Sequence, residues 1–286
     1  MKKNNFVRFL FCVAVVLIAI AGLNEVSAQA ASKIQNLKEK KTYKINLDKK
    51  GKKESISFKL VEGKDGNVAF KVTINGKTKT VTTEYDIYEA NIQVTDIDTK
   101  DGYMDLWMYA IGGSEDVVYS ALYQYQSGKL KKLYTLSYKE VDENCHLVSG
   151  VLHKASGNGK FYVRADRAFF VDALIGNHID IIPLQLKNGK VSRVKTNTYQ
   201  IYQTYNTEEN PLRILSQVEA FYKKPDESSE IAMELKRFTI IKPVSIYHSG
   251  KTLYVKFETE DGRSGWYRAD GCDFGEAPFD NIIWAD

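Results

Sequence analysis

Cysteine is scarce: three residues in 286, at positions 12, 145 and 272. Cys12 falls inside an apolar N-terminal run and away from any small-residue cleavage site, which excludes a lipid-anchored cysteine. Cys145 and Cys272 are far apart and lack framework spacing, so a disulfide and two buried free thiols both stay open. Blocks of one charge are missing too. Forty Lys and Arg face 36 Asp and Glu, scattered along the chain, for a formal charge of +4. Without a basic stripe there is no case for nucleic acid as a partner. Amphipathic helices are almost absent; the best candidate, residues 208–221, reads equally well as a loop followed by a strand. Beyond the first 31 residues no apolar stretch approaches the roughly 20 residues that a spanning helix needs.

What is present begins with an address. Lys2, Lys3 and Arg8 precede an apolar run at 9–23, and small residues follow at Val26-Ser27-Ala28 and Ala28-Gln29-Ala30. This is the pattern of a secretory signal peptide over residues 1–28, cleaved after Ala28 or Ala30. The alternative, a retained anchor, needs a longer apolar run than the one here. Loss of 1–28 removes Lys2, Lys3, Arg8 and Glu25, so the formal charge falls by two. The mature chain is expected to be soluble, with residues 29–42 a polar, Lys-rich lead-in.

From Tyr43 onward the chain reads as mainly β. Thr, Val, Ile, Tyr and Phe alternate with polar residues between closely spaced turns. Asn75-Gly76, Ser127-Gly128, Asn188-Gly189, Ser249-Gly250 and Asp261-Gly262 mark hairpins, because such pairs accept the positive φ that tight turns demand. The polar segment 206–211 (NTEENP) divides a region at 43–207 from one at 211–286.

The densest chemistry lies at 95–105 (TDIDTKDGYMD). Asp96, Asp98, Asp101 and Asp105 crowd around Gly102. Carboxylates this close repel unless a cation or water sits among them, and a hard cation such as Ca²⁺ takes roughly 6–8 oxygens from short acidic loops with a glycine at the turn. A weaker echo stands at Asn46, Asp48 and Glu54. Residues 122–133 and 182–194 share a strand, Gly-Lys, strand form, and units of 40–50 residues built this way point to stacked or radially arranged four-stranded units.

These loops resemble the calcium loop of FG-GAP/VCBS repeats, the blades of integrin-like propellers. That resemblance implies a partial or divergent propeller-like antiparallel region with a structural Ca²⁺ on Asp96, Asp98, Asp101 and Asp105. The first loop departs from the family pattern with Lys50 at the fifth position, and the second carries one extra residue between Asp98 and Asp101. Further on, Tyr222-Lys223-Lys224-Pro225-Asp226, Asp261-Gly262 and Gly265-Trp266 resemble a bacterial SH3 domain. This implies a small C-terminal barrel over 211–286, without the glycine usual near Lys236–Phe238.

No catalytic residue is assigned. Cys145, His146 and His153 have the residue types of a thiol nucleophile and base, but adjacent strand residues point to opposite faces. Glu115-Asp116 are adjacent acids on a loop, which does not establish a hydrolytic pair. Trp266 and Tyr267 are the leading members of an aromatic platform for sugar or peptide. The expected function is non-catalytic recognition of wall peptide or glycan at the cell envelope of a Gram-positive-type bacterium. The rivals are a wall hydrolase with an unrecognised site and a purely structural or assembly protein.

Overall fold

Which residues pair is decided first by the turns. Asn75 and Gly76 have φ of 49° and 78°, Ser127 and Gly128 50° and 76°, Asn188 and Gly189 52° and 71°. Two successive positive φ values give the turn whose twist matches that of the flanking strands. Each closes a hairpin. The computed structural model describes residues 32–286 apart from 63–67, 82–86, 113–116, 137–138, 143–144, 148–149, 206–210, 215–217, 271–277, 281 and 283–286. The fold is mainly β with antiparallel sheets; among the described residues its one helix is α1 (Asp172–Ile175).

Strand β1 (Gln35–Leu37) precedes a four-stranded meander of β2 (Tyr43–Ile45), β3 (Glu54–Glu62), β4 (Val68–Ile74) and β5 (Lys77–Val81). A second meander follows: β6 (Ile87–Thr95), β7 (Asp105–Gly112), β8 (Val117–Gln126) and β9 (Lys129–Leu136), with β1 added beside β6. A short hairpin, β10 (Lys139–Asp142) and β11 (Cys145–Leu147), leads to a ten-stranded sheet. That sheet opens with a third meander of β12 (Gly150–Ala155), β13 (Lys160–Asp166), β14 (His178–Lys187) and β15 (Lys190–Arg193). Its other strands are β16 (Thr198–Thr204), β18 (Val218–Tyr222), β19 (Ile231–Lys236), β20 (Ile241–Ser249), β21 (Thr252–Thr259) and β22 (Ser264–Arg268). The order across it is β12-β13-β14-β16-β20-β21-β22-β18-β19, with β15 on β14; β17 (Arg213–Ile214) pairs separately with β23 (Phe279–Asp280).

The middle sheet is apolar on both faces. In β7, Leu106, Met108 and Ala110 pack with Ile56, Phe58, Phe70 and Val72 of the first sheet. The alternate residue Trp107 and Leu122 of β8 pack with Phe161, Val163 and Leu184 of the ten-stranded sheet. Trp107 meets Phe161 edge-on at 6.0 Å between ring centroids. A strand buried on both sides reads as a near-continuous apolar run, and Leu-Trp-Met-Tyr-Ala-Ile is one. Each large side chain so buried contributes roughly 1.5–3 kcal/mol.

Strand β12 is an edge, and unpaired edge groups need partners. Buried polar side chains of the middle sheet supply them. Gln93 Nε2 donates to Leu152 O at 3.2 Å and Gln93 Oε1 accepts from Leu152 N at 3.0 Å. Trp107 Nε1 donates to Gly150 O at 2.9 Å, and Ser120 Oγ accepts from Gly150 N at 3.0 Å.

Instead of the expected small closed barrel, the C-terminal strands form part of an open sheet. One side of β20 takes β21 and the other takes β16, through Tyr199 opposite Ile246. Both residues belong to the same buried core, so no side of β20 is left for β19 to close upon. The parts expected at 43–207 and 211–286 thus share a sheet, and residues 32–286 make one compact unit. Of the two readings of 208–221, the strand is the one found, at Val218–Tyr222.

Replacing Gln93 by Leu is expected to cost about 2–6 kcal/mol, since two buried backbone groups lose partners worth roughly 1–3 kcal/mol each. Urea unfolding measures it. An unchanged midpoint would mean that solvent already serves the β12 edge.

Candidate functional site

In each meander the loop between the first and second strands begins with the same local device. Asp48 Oδ1 accepts from Lys50 N, Asp98 Oδ1 from Lys100 N and Asn158 Oδ1 from Lys160 N, each at 3.1 Å. An acid at the start of the second strand then ties the first two loops. Glu54 Oε2 accepts from Leu47 N and Asp105 Oδ2 from Ile97 N, both at 2.8 Å. The loops are also stitched together through backbone. Met104 N donates to Leu47 O at 2.8 Å, Gly159 N to Ile97 O at 2.7 Å and Thr99 N to Gly157 O at 3.0 Å. Glycine is required at 159, where φ is +89° and a Cβ would stand 2.3 Å from Leu186 O. The third loop escaped the sequence reading; its signal was Asn158-Gly-Lys160 matching Asp98-Thr-Lys100.

Asp96, Asp98, Asp101 and Asp105 do come together in one loop, but their oxygens are largely taken. Asp101 Oδ1 accepts from Tyr103 N at 2.9 Å and its Oδ2 from Gln124 Nε2 at 2.8 Å. Gln124 Nε2 also donates to Asp105 Oδ1 at 2.8 Å. The cation among them is Lys49, from the neighbouring loop. Its Nζ lies 2.8 Å from Asp96 Oδ2, 3.9 Å from Asp101 Oδ1 and 3.4 Å from Asp98 O. Among the described residues no three His, Cys, Asp or Glu side chains are grouped to hold a metal ion. The backbone, Gln124 and Lys49 engage most of these oxygens, while Asp96 Oδ1 is buried without a hydrogen-bond partner. In the first loop, Asp48 and Glu54 serve their own backbone, while Asn46 Oδ1 is buried without a hydrogen-bond partner.

Asp105 is fully buried. Burial raises its pKa to about 7, against the opposing pull of Ile97 N–H and Gln124 and with a further push from the charges of Asp101 and Asp96.

The second candidate lies on the side of the ten-stranded sheet that faces away from its core. Paired residues of adjacent strands share a face, and the registers give one row: Arg164, Ile181, Gln200, Ser245, Lys256, Trp266 and Tyr222. The alternate row, with Val163, Ile182, Tyr199, Ile246, Val255 and Tyr267, faces the core. At about 4.8 Å per strand, Arg164 and Trp266 are about 24 Å apart along the sheet. Trp266 is half-buried, with Tyr247 edge-on to it at 6.3 Å. Tyr267 is turned the other way, 5.5 Å from Phe221 and 5.3 Å from Phe279. Trp266 and Tyr267 therefore do not form one platform; the companion of Trp266 is Tyr247. Gly265 lets this strand approach closely, since a Cβ there would lie 2.6 Å from Phe221 Cβ.

Cys145 and His146 are consecutive in β11, opposite Asp142 and Glu140. His153 is on β12. Residues 1–31, Glu115, Asp116 and Cys272 lie outside the described residues. No helix among the described residues is long and apolar enough to cross a membrane.

Two outcomes follow from the acidic loop. Lys49→Ala is expected to destabilise by about 1–3 kcal/mol, between the values for exposed and buried ion pairs, while millimolar Ca²⁺ leaves the wild-type melting temperature unmoved; a rise of several degrees contradicts this. Asp105 ionises near 3.8 when unfolded and near 7 when folded. Its contribution is complete below the lower value and is lost as pH rises through the upper one. Asp105→Asn should therefore flatten the decline in stability between pH 4 and pH 7, read as the difference between the two proteins' urea midpoints. No family model matches the chain, and neither a curated protein nor a solved structure matches it.

Proposed function

We propose that this is a secreted, non-catalytic recognition protein of the cell envelope, holding wall peptide or glycan along the outer face of its ten-stranded sheet. One observation carries the reading: Trp266 stands on that face, in register with Lys256, Ser245, Gln200 and Arg164. An aromatic ring offers sugar or peptide an apolar stacking surface, and the polar side chains beside it fix orientation. The row is long enough for an extended polymer rather than a single small molecule. The secreted address rests on the leader at 1–28.

Two family likenesses support the reading in outline. Three four-stranded meanders with alike first loops suit divergent propeller-type blades of the FG-GAP/VCBS kind. The β20-β21-β22 meander followed by β18 and β19 suits the strand order of an SH3-like module opened at β20. Lys49 lies among the acids of the second loop, so the likeness is drawn from architecture alone.

The mature protein is expected to sediment with purified peptidoglycan, and Trp266→Ala to lose at least tenfold in affinity while melting cooperatively. Tyr267→Ala should instead lower stability by about 3–5 kcal/mol, the usual cost of deleting a large aromatic from a core. Full wall binding by Trp266→Ala, or none by the wild type, counts against the proposal.

A further inference from the structure

We propose that the Arg164 end of this outer face is an oxyanion site, built to take a carboxylate of the ligand. The inference deepens the recognition reading and rests on this face being the ligand face. It begins with two irregularities of pairing. The β12–β13 register shifts between Leu152 and Lys154, and the β14–β16 register shifts where Ile179 and Asp180 face Gln203 and Ile201. His153 and Tyr202 are the residues left over at these two shifts. Extra residues of this kind re-aim side chains, and these two meet: their rings lie 5.1 Å apart at 65°. The guanidinium of Arg164 lies over the Tyr202 ring at 4.9 Å.

Arg193 on β15 stacks over Phe169 and Tyr199 on the core side. Arg268 pairs with Glu227 and Asp270, and Arg263 with Asp261, each at 2.8 Å. Arg164 makes no ion pair with a described residue, and its Nε is buried without a hydrogen-bond partner. A buried N–H left unpaired is costly, and a ligand oxyanion that reaches this half-exposed guanidinium would offset that cost. The surrounding charge favours an anion. His153 is held below its ordinary pKa by burial and then by Arg164 and Lys154, which means two cations face it. The acids nearby are Glu89, whose charge opposes that of Arg164 at Tyr109 and whose Oε1 accepts from Asn91 Nδ2 at 2.7 Å, and Asp166, two residues along β13, whose Oδ2 lies 3.3 Å from Arg167 Nε. The planar fork of Arg matches a carboxylate in two parallel hydrogen bonds, and stacking on Tyr202 holds that plane. Phosphate presents the same oxyanion chemistry with a different shape, so it is the second arm of the test.

The test follows the His153 ring resonances by NMR in the mature protein while small probes are added. N-acetylalanine should shift them in a saturable manner, its uncharged amide should not, and inorganic phosphate should act more weakly. Arg164→Gln should weaken the carboxylate response at least tenfold, with Arg164→Lys in between because it keeps charge without the fork. Equal response to the amide and the carboxylate overturns the site in the wild type alone, whatever the variants do. Phosphate binding tighter than carboxylate overturns the carboxylate assignment, and an undiminished Arg164→Gln response overturns the role of Arg164. These probes contain no wall polymer. A failed wall pull-down with a positive carboxylate response would locate the fault in the polymer reading, and the reverse pair of results in this site.

Discussion

A sheet that is apolar on both faces has to be covered on both. The β7 run Leu106 to Ala110 sends Leu106, Met108 and Ala110 to one side and Trp107 to the other. Everything around it answers that requirement. The first meander covers one face, and the ten-stranded sheet covers the other. Because the two cores share a single sheet as their partition, loss of either cover exposes a whole layer of large side chains to water. The polar residues on the partition are few and committed: Gln93 and Ser120 serve the β12 backbone, and Gln124 bridges Asp101 and Asp105.

That stacking brings the first loops of successive meanders side by side. Backbone hydrogen bonds then join them, and charge follows geometry. Lys49 extends from one loop into the acids of the next, so the repulsion among Asp96, Asp101 and a buried Asp105 is met by a tethered ammonium and by the Gln124 amide that donates to two of them. A tethered cation needs no supply from solution, and it fastens two layers that a free ion would bind only when present.

Much of this was legible in the sequence where the cause is local. Asn75-Gly76, Ser127-Gly128 and Asn188-Gly189 announce hairpins because the turn needs positive φ at both positions. The acids of 96–105 announce a charged loop. What filled that loop was not legible, because Lys49 and Asp98 are 49 residues apart and meet only through sheet stacking. The open C-terminal sheet was hidden for the same reason: β16 and β20 pair across 206–211, guided by the burial of Tyr199 beside Ile246. Adjacent Trp266 and Tyr267 looked like one platform in sequence, yet strand alternation divides them between two faces. The Arg164 cluster depends on two register shifts, and no local pattern marks either.

The functional account therefore rests on one surface. The row of side chains on it is assembled only by strand register. The measurement that tests it most directly is amide chemical-shift mapping of the isotope-labelled mature protein with soluble peptidoglycan fragments. The account predicts perturbations concentrated in β13, β16, β20, β21 and β22, strongest near Trp266 and Arg164, with the β3 and β4 amides of the first meander unmoved. Perturbations confined to the first meander or to the acidic loops, or none at saturating fragment, would contradict it.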